Sequence, residues 1–140
     1  MRSMVRILVP VFLAFALLMV ACAETAGDFE DTTWVLESYG EPGNLKTVLA
    51  DTEVTATFNS ADARVTGKAG CNNYFGSYEV KSSKLTLPGP IGSTKMSCGE
   101  QIDKQEYDFL QAFQAAESYK IENGRLHITC GTQTLVFKPQ

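Results

Sequence analysis

Residues 53–71 read EVTATFNSADARVTGKAGC, and this stretch decides the fold class. Apolar and polar side chains alternate from Glu53 to Phe58 and again from Ala63 to Cys71. Such alternation is typical of a strand with one face buried. The cluster Asn59–Asp62 between the two runs is typical of a turn. The stretch therefore predicts two antiparallel strands, with Cys71 pointing inward if the second strand runs without a bulge.

Further strands are expected on both sides of this pair. The clearest is a hairpin at Asn123-Gly124, because both residues tolerate the positive φ of a tight turn. Its second strand places Leu126, Ile128 and Cys130 on one face and His127 and Thr129 on the other. The remaining patterns predict strands over Trp34–Tyr39, Ser77–Val80, Lys84–Leu87, Ser118–Glu122, Arg125–Cys130 and Thr134–Lys138.

A single helix is predicted over Glu100–Glu117. Ser97 and Glu100 have the spacing of a capping box, and Asp103 and Glu106 offer a second start within the helix. At 100° per residue, one face of this helix is apolar and carries Ile102, Phe109, Phe113 and Ala116. Glu106 falls in the middle of this face, where a carboxylate is costly unless it is paired or hydrogen-bonded.

Two groups of strands around one helix, without regular β-α alternation, argue against a parallel sheet. We therefore expect a mainly β (α+β) fold, a small antiparallel β-barrel-like domain with one α-helix packed against it. The domain is predicted to cover residues 33–138.

The N-terminal residues predict export and anchoring. Residues 1–21 have two arginines and then an apolar run that is too short to span a bilayer, as in a signal peptide. The end of the run resembles the bacterial lipobox and predicts a lipid on Cys22. Cleavage after Ala23, which would discard Cys22, is the alternative. Residues 22–32 are acidic and poor in large apolar groups, which predicts a flexible tether. The residue directly after Cys22 is Ala23 and not aspartate. Under the enteric-type sorting rule for lipoproteins this indicates the outer membrane, so we expect the domain to be anchored there and to face the periplasm.

Composition restricts the partners. Removing residues 1–21 takes away two arginines and changes the net charge from −4 to −6. An acidic domain without a basic run is not expected to bind nucleic acid, which requires cationic contacts to phosphate. If Cys22 is lipidated, three cysteines remain, of which two are expected to pair in an oxidising compartment.

Residues Gly70–Tyr78, GCNNYFGSY, and Ile91–Cys98, with Thr94, Met96 and Cys98 at alternate positions, resemble the META domain (HslJ-like) family. The similarity runs from about Thr32 to Phe137. It implies a compact barrel-like fold, often carried by envelope lipoproteins, without an established catalytic activity. Members have been linked to heat shock and antibiotic tolerance. The motif positions carried over, as structural or binding residues, are Asn72, Asn73, Gly76, Thr94, Met96 and Glu106.

A Cys71–Cys98 disulfide is expected; a Cys98–Cys130 bridge and three free thiols remain alternatives. A thiol enzyme is not expected, because His127 and Cys130 project to opposite faces of one strand. The same geometry, with no C-x-x-C spacing, disfavours a zinc site. We predict no enzyme activity and no cofactor.

Two functions remain open at this level. The first is a monomeric, lipid-anchored envelope protein that acts through contacts with other envelope proteins, and the second is a barrel that binds a small ligand. Glu106 would be a buried acid in a ligand cavity under the second hypothesis. Otherwise it would accept hydrogen bonds from Asn72, Asn73 or the backbone of their loop. An interior filled by Trp34, Phe58, Val65, Leu126 and Phe137 would exclude an internal ligand.

Overall fold

A computed structural model describes residues 29–140 of the chain. The predicted signal peptide, residues 1–21, and the predicted lipid attachment site, Cys22, lie outside these residues. Within residues 29–140, no helix combines the length and the apolar character needed to cross a membrane.

The described part contains eleven strands and one helix. In chain order they are β1 (Thr33–Glu41), β2 (Asn44–Thr47), β3 (Thr55–Asn59), β4 (Arg64–Lys68), β5 (Asn73–Ser77), β6 (Glu79–Lys81), β7 (Lys84–Thr86), β8 (Gly92–Ser93), α1 (Glu100–Gln114), β9 (Ser118–Glu122), β10 (Arg125–Cys130) and β11 (Gln133–Pro139).

The strands form one curled antiparallel sheet in the order β6-β7-β9-β10-β11-β1-β3-β4-β5-β8, with β2 paired to β1 outside this path. Only Tyr78 separates β5 from β6, so one continuous stretch of chain lies near both ends of the path. The helix α1 packs against the sheet, and the result is a half-barrel with one helix. This confirms the predicted mainly β, barrel-like class.

Aromatic side chains fill the space between the helix and the sheet. Phe109 and Phe113 of α1 are fully buried, and their rings contact Phe58, Tyr74 and Phe137 of the strands. The five residues that were expected to fill the interior are all buried, namely Trp34, Phe58, Val65, Leu126 and Phe137. These interior positions are therefore filled by side chains.

The hairpin predicted at Asn123-Gly124 is present with its predicted bounds. Both turn residues have positive φ, 53° and 72°, which is the backbone conformation that an Asn-Gly pair favours. Arg125 pairs with Glu122 directly across the turn. Alternation along β10 buries Leu126, Ile128 and Cys130, as expected.

The domain begins earlier than predicted. Phe29 is fully buried, with its ring centroid 4.9 Å from that of Phe58 and 4.4 Å from that of Tyr119. Its carbonyl accepts a 2.7 Å hydrogen bond from the indole of Trp34. Predicting a tether as far as residue 32 was therefore wrong for residues 29–32, because one aromatic side chain joins this segment to the core.

Cys71 does not point into the core. The second strand of the opening stretch, β4, ends at Lys68, and only an isolated bridge between Val54 and Ala69 continues the pairing. Gly70 then has a φ of +113°, which turns the chain, so Cys71 is half-buried in the turn before β5. The prediction of an inward Cys71 was wrong because the alternation ends at this turn.

The helix is shorter than predicted and begins differently. It ends at Gln114, three residues before Glu117, whose backbone N–H donates instead to the carbonyl of Thr129 at 2.9 Å. Its N-cap is Gly99, without a side-chain capping bond, so neither predicted capping box forms. The Asp103 carboxylate instead accepts hydrogen bonds from the segment before the helix.

Candidate functional site

The Glu106 carboxylate binds the turn that carries the family motif. It is 9% exposed and accepts hydrogen bonds from the backbone N–H of Cys71 at 3.1 Å and of Asn72 at 2.7 Å. It also accepts one from the Asn72 side-chain amide at 2.5 Å. The interpretation in which Glu106 locks the helix to this turn therefore fits the geometry, with Asn72 rather than Asn73 as the side-chain donor.

Asn72 connects this turn to a second segment, residues 94–98, which we name the Met96 loop. The Asn72 side chain is 3% exposed, and its Oδ1 accepts from the Thr94 hydroxyl at 2.9 Å and the Met96 N–H at 2.7 Å. Its Nδ2 also donates to the Met96 carbonyl at 3.0 Å. Because both ends of the amide have partners, Asn72 imposes a defined conformation on the Met96 loop.

Two further contacts hold the C-terminal part of the Met96 loop. A disulfide joins Cys71 to Cys98, with a Cα–Cα distance of 5.8 Å, as expected from the family resemblance. The Asp103 carboxylate accepts the Cys98 N–H at 2.8 Å and the Ser97 hydroxyl. Sequence reasoning missed this role of Asp103, although it had marked the residue as a possible start of the helix.

The Met96 loop exposes its one large apolar side chain. Met96 is 63% exposed although its backbone N–H and carbonyl are both bound to Asn72. On β5, Phe75 is 51% exposed, and its ring lies against Gly92, where an added Cβ would come within 2.6 Å of the ring. The guanidinium of Arg64 lies 5.6 Å from the centroid of the Phe75 ring. These contacts present two large apolar groups to solvent on a fixed backbone.

Two of the motif residues, Asn73 and Gly76, contribute no side chain to this hydrogen-bonded cluster. The Asn73 side chain is exposed, and the backbone carbonyl of Asn73 accepts the Thr94 N–H at 3.1 Å, which extends the pairing of β5 with β8. Gly76 lies further along β5, where a Cβ would be in ordinary contact with Ile91 and Val65. The structure thus brings Cys71, Asn72, Thr94, Met96, Cys98 and Glu106 together, and leaves Gly76 as a packing position.

The thiol and the imidazole of β10 do not form a reactive pair. Burial raises the pKa of Cys130 to about 12, and its thiol donates weakly to the Ile128 carbonyl at 3.8 Å. Burial, followed by the positive charge of Lys120, lowers the pKa of His127. Among residues 29–140, no three His, Cys, Asp or Glu side chains form a group that could hold a metal ion.

Two solved structures share this fold. The NMR structure of a protein from Burkholderia xenovorans is 25% identical, with a TM-score of 0.67 over 80% of this chain and 83% of that one. The crystal structure of a DUF4847 family protein from Bacteroides vulgatus is 15% identical, with a TM-score of 0.56 over 79% of this chain and 94% of that one. No curated protein matches the chain.

The family assignment rests on sequence as well as on fold. The META domain matches residues 27–140, which include the motif turn, the Met96 loop and the helix that carries Glu106. It also includes Phe29, in agreement with the early start of the domain. The chain belongs to the META domain family.

Proposed function

We propose that this chain is a non-enzymatic envelope lipoprotein, anchored through Cys22, that supports envelope stress or antibiotic tolerance by binding another envelope protein. The observation that carries the proposal is the exposed Met96 on a backbone that Asn72 holds at both polar groups. Because the backbone that carries Met96 is already held in one conformation, a partner that binds this side chain does not have to order the loop, which favours its use in an interface.

A second exposed apolar group on the same sheet supports a protein partner. Phe75 lies on β5, with Arg64 of the adjacent strand β4 over its ring, and aromatic residues, methionine and arginine are enriched in protein interfaces. The disulfide and Asp103 hold the far end of the loop. Asn72, the disulfide and Asp103 thus hold a five-residue loop that exposes one large apolar side chain.

A barrel with an internal ligand receives no support from this arrangement. The interior positions are occupied by side chains, and the hydrogen-bonding partners of Glu106 all belong to the motif turn. The carboxylate is used in folding the turn, so it does not face an open cavity as a ligand-binding acid would.

Site-specific cross-linking in intact envelopes tests the proposal. A photo-reactive phenylalanine analogue would be placed at Met96 or, as a matched control, at Leu45, which is 42% exposed on β2. We expect one discrete cross-linked protein from position 96, none from position 45, and loss of the product in Phe75→Ser. Equal cross-linking from both positions would contradict a specific interface.

The anchor needs its own measurement. Intact mass of the protein purified from membranes should show acyl chains on Cys22, and Cys22→Ala should release the protein into the periplasmic fraction. Recovery of an unacylated mature protein that begins after Ala23 would contradict the lipoprotein assignment and leave the interface at Met96 to be judged by cross-linking alone.

A further inference from the structure

The β6–β7 hairpin separates its side chains into an apolar and a charged face. Val80 pairs with Leu85, which is fully buried, so this pair faces the core. The register places Glu79 opposite Thr86 and Lys81 opposite Lys84 on the other face. Like charges directly opposite each other on an antiparallel pair are destabilising. The stability of the hairpin therefore does not explain why two lysines stand opposite each other.

This charged face forms one side of a cleft of about 490 Å³. The other side comes from Glu30, from Ser60 and Ala63 of the β3–β4 turn, and from Tyr78. One oxygen of the Glu30 carboxylate accepts a hydrogen bond from the Tyr78 hydroxyl. Among residues 29–140, none of the four ion pairs includes Lys81, Lys84 or Glu79. The cleft thus offers two cations, Lys81 and Lys84, and one anion, Glu79, without intramolecular partners, beside the hydrogen-bonded carboxylate of Glu30.

The cleft lies where the chain enters the domain. Glu30 lines it and follows Cys22 by eight residues, and an extended chain spans at most about 3.6 Å per residue. The cleft is therefore within roughly 30 Å of Cys22 along the chain, whatever path that segment takes. The Met96 loop lies at the other end of β5, since Asn73 at the start of the strand binds Thr94 while Tyr78 follows its end.

We infer that this cleft binds a phospholipid headgroup of the membrane that anchors the chain, with the phosphate on Lys81 and Lys84 and the ammonium group of ethanolamine on Glu79. The inference rests on the proposed lipid anchor. An anchored domain meets headgroups at high effective concentration, so even a weak site is occupied. The unpaired charges match the two charges of this headgroup, and they explain the lysine pair across the hairpin.

Docking of this kind would orient the domain. The end of β5 next to Tyr78 would face the lipid, and the Met96 loop at the opposite end would face away from the membrane. An envelope protein could then reach Met96 and Phe75 without displacing lipid. Lys95 belongs to the Met96 loop, and its Nζ lies 3.2 Å from the Ser93 hydroxyl. In this orientation Lys95 would lie away from the headgroups.

Amine labelling of the full lipidated chain tests the inference. The protein would be placed in vesicles of phosphatidylethanolamine and phosphatidylglycerol or in detergent micelles, and the acetylation rate of each lysine followed by mass spectrometry. We expect Lys81 and Lys84 to react at least fivefold more slowly in vesicles, and to regain their rate in high salt, which screens charge interactions. Lys95 serves as the internal control and should react equally in both.

Three outcomes are distinguishable. Vesicle flotation with protection of Lys81 and Lys84 supports the inference. In the Thr86→Lys background, the double substitution Lys81→Gln/Lys84→Gln should then raise the labelling at position 86, whereas Lys95→Gln should not. Flotation with all lysines equally reactive overturns the headgroup site but leaves the anchor intact. An unacylated mass with no flotation overturns the anchor, and the headgroup site with it.

Discussion

Replacement of Glu106 by glutamine tests whether the carboxylate holds the motif turn. Glutamine has almost the same volume, but one of its two oxygens becomes an amino group. If the remaining oxygen keeps the Cys71 and Asn72 backbone donors, the amino group meets the Asn72 side-chain amide, and two donors face each other. Turning the amide over satisfies Asn72 but leaves two backbone N–H groups without their acceptor.

The expected cost follows from these contacts. A hydrogen bond to a charged group contributes about 1.5–3 kcal/mol, and an unsatisfied buried donor costs about 1–3 kcal/mol. Because these terms are not additive, we expect Glu106→Gln to lower the free energy of unfolding by about 2–3 kcal/mol and Glu106→Ala by about 3–5 kcal/mol. Such losses are a large part of the stability of a small domain.

Urea denaturation followed by the fluorescence of Trp34, the only tryptophan, measures this cost. At a denaturant slope of about 1–3 kcal/mol per molar, the midpoint for Glu106→Gln should fall by roughly 1–2 M. The matched control is Glu41→Gln, an exposed glutamate at the end of β1, which should change the midpoint little. A Glu106→Gln protein within about 0.5 kcal/mol of the wild type would refute the assignment of Glu106 as the lock of the turn.

Three further predictions follow from other contacts. Cys130 should resist iodoacetamide in the folded protein and react only after unfolding, which mass spectrometry of the alkylated chain would detect, because burial raises its thiol pKa to about 12. Reduction of Cys71–Cys98 should lower the free energy of unfolding by roughly 3–4 kcal/mol for a loop of about 28 residues, measured by urea denaturation with and without reductant; an unchanged midpoint would argue against the bridge. Hydrogen bonds from the Ser60 hydroxyl and, to a lesser extent, from the Ser60 backbone N–H lower the pKa of Asp31. The stability that ionised Asp31 contributes is therefore complete above pH 3.8, the ordinary pKa of the group, and is lost as the pH falls through the lower pKa of the folded state. The difference in stability between Asp31→Asn and the wild type should therefore shrink at low pH, as acid denaturation curves would measure.

The parts of the fold that depend on local periodicity could be predicted from the sequence. Alternation identified the strands around residues 53–68, and the Asn123-Gly124 turn set the bounds of β9 and β10. Strand β2 was missed because all four of its residues are exposed and no alternation is present. Strand β8 has two residues, which is too short for any pattern. Strand β2 pairs with β1 directly before it, and β8 pairs with the more distant β5, so both are identified by their pairing rather than by periodicity.

The candidate site was predictable in its members but not in all its contacts. Placing Glu106 on the apolar face of the helix pointed to a buried carboxylate that needs donors, and the motif named Asn72 as one of them. The positions of Phe29 and Asp103 were not predictable in this way. Average composition conceals a single aromatic side chain in a polar segment, and Asp103 acts on residues that precede the helix rather than within it.

The single residue between β5 and β6 has a consequence for self-association. A sheet with long open edges can add strands from neighbouring molecules without limit. Here Tyr78 carries the chain from one end of the sheet path to the other, and the strands left at the two ends have only three residues, in β6, and two, in β8. These two ends of the path offer few unpaired backbone groups, so neither is a long template on which copies crowded together in one place would grow into fibrils.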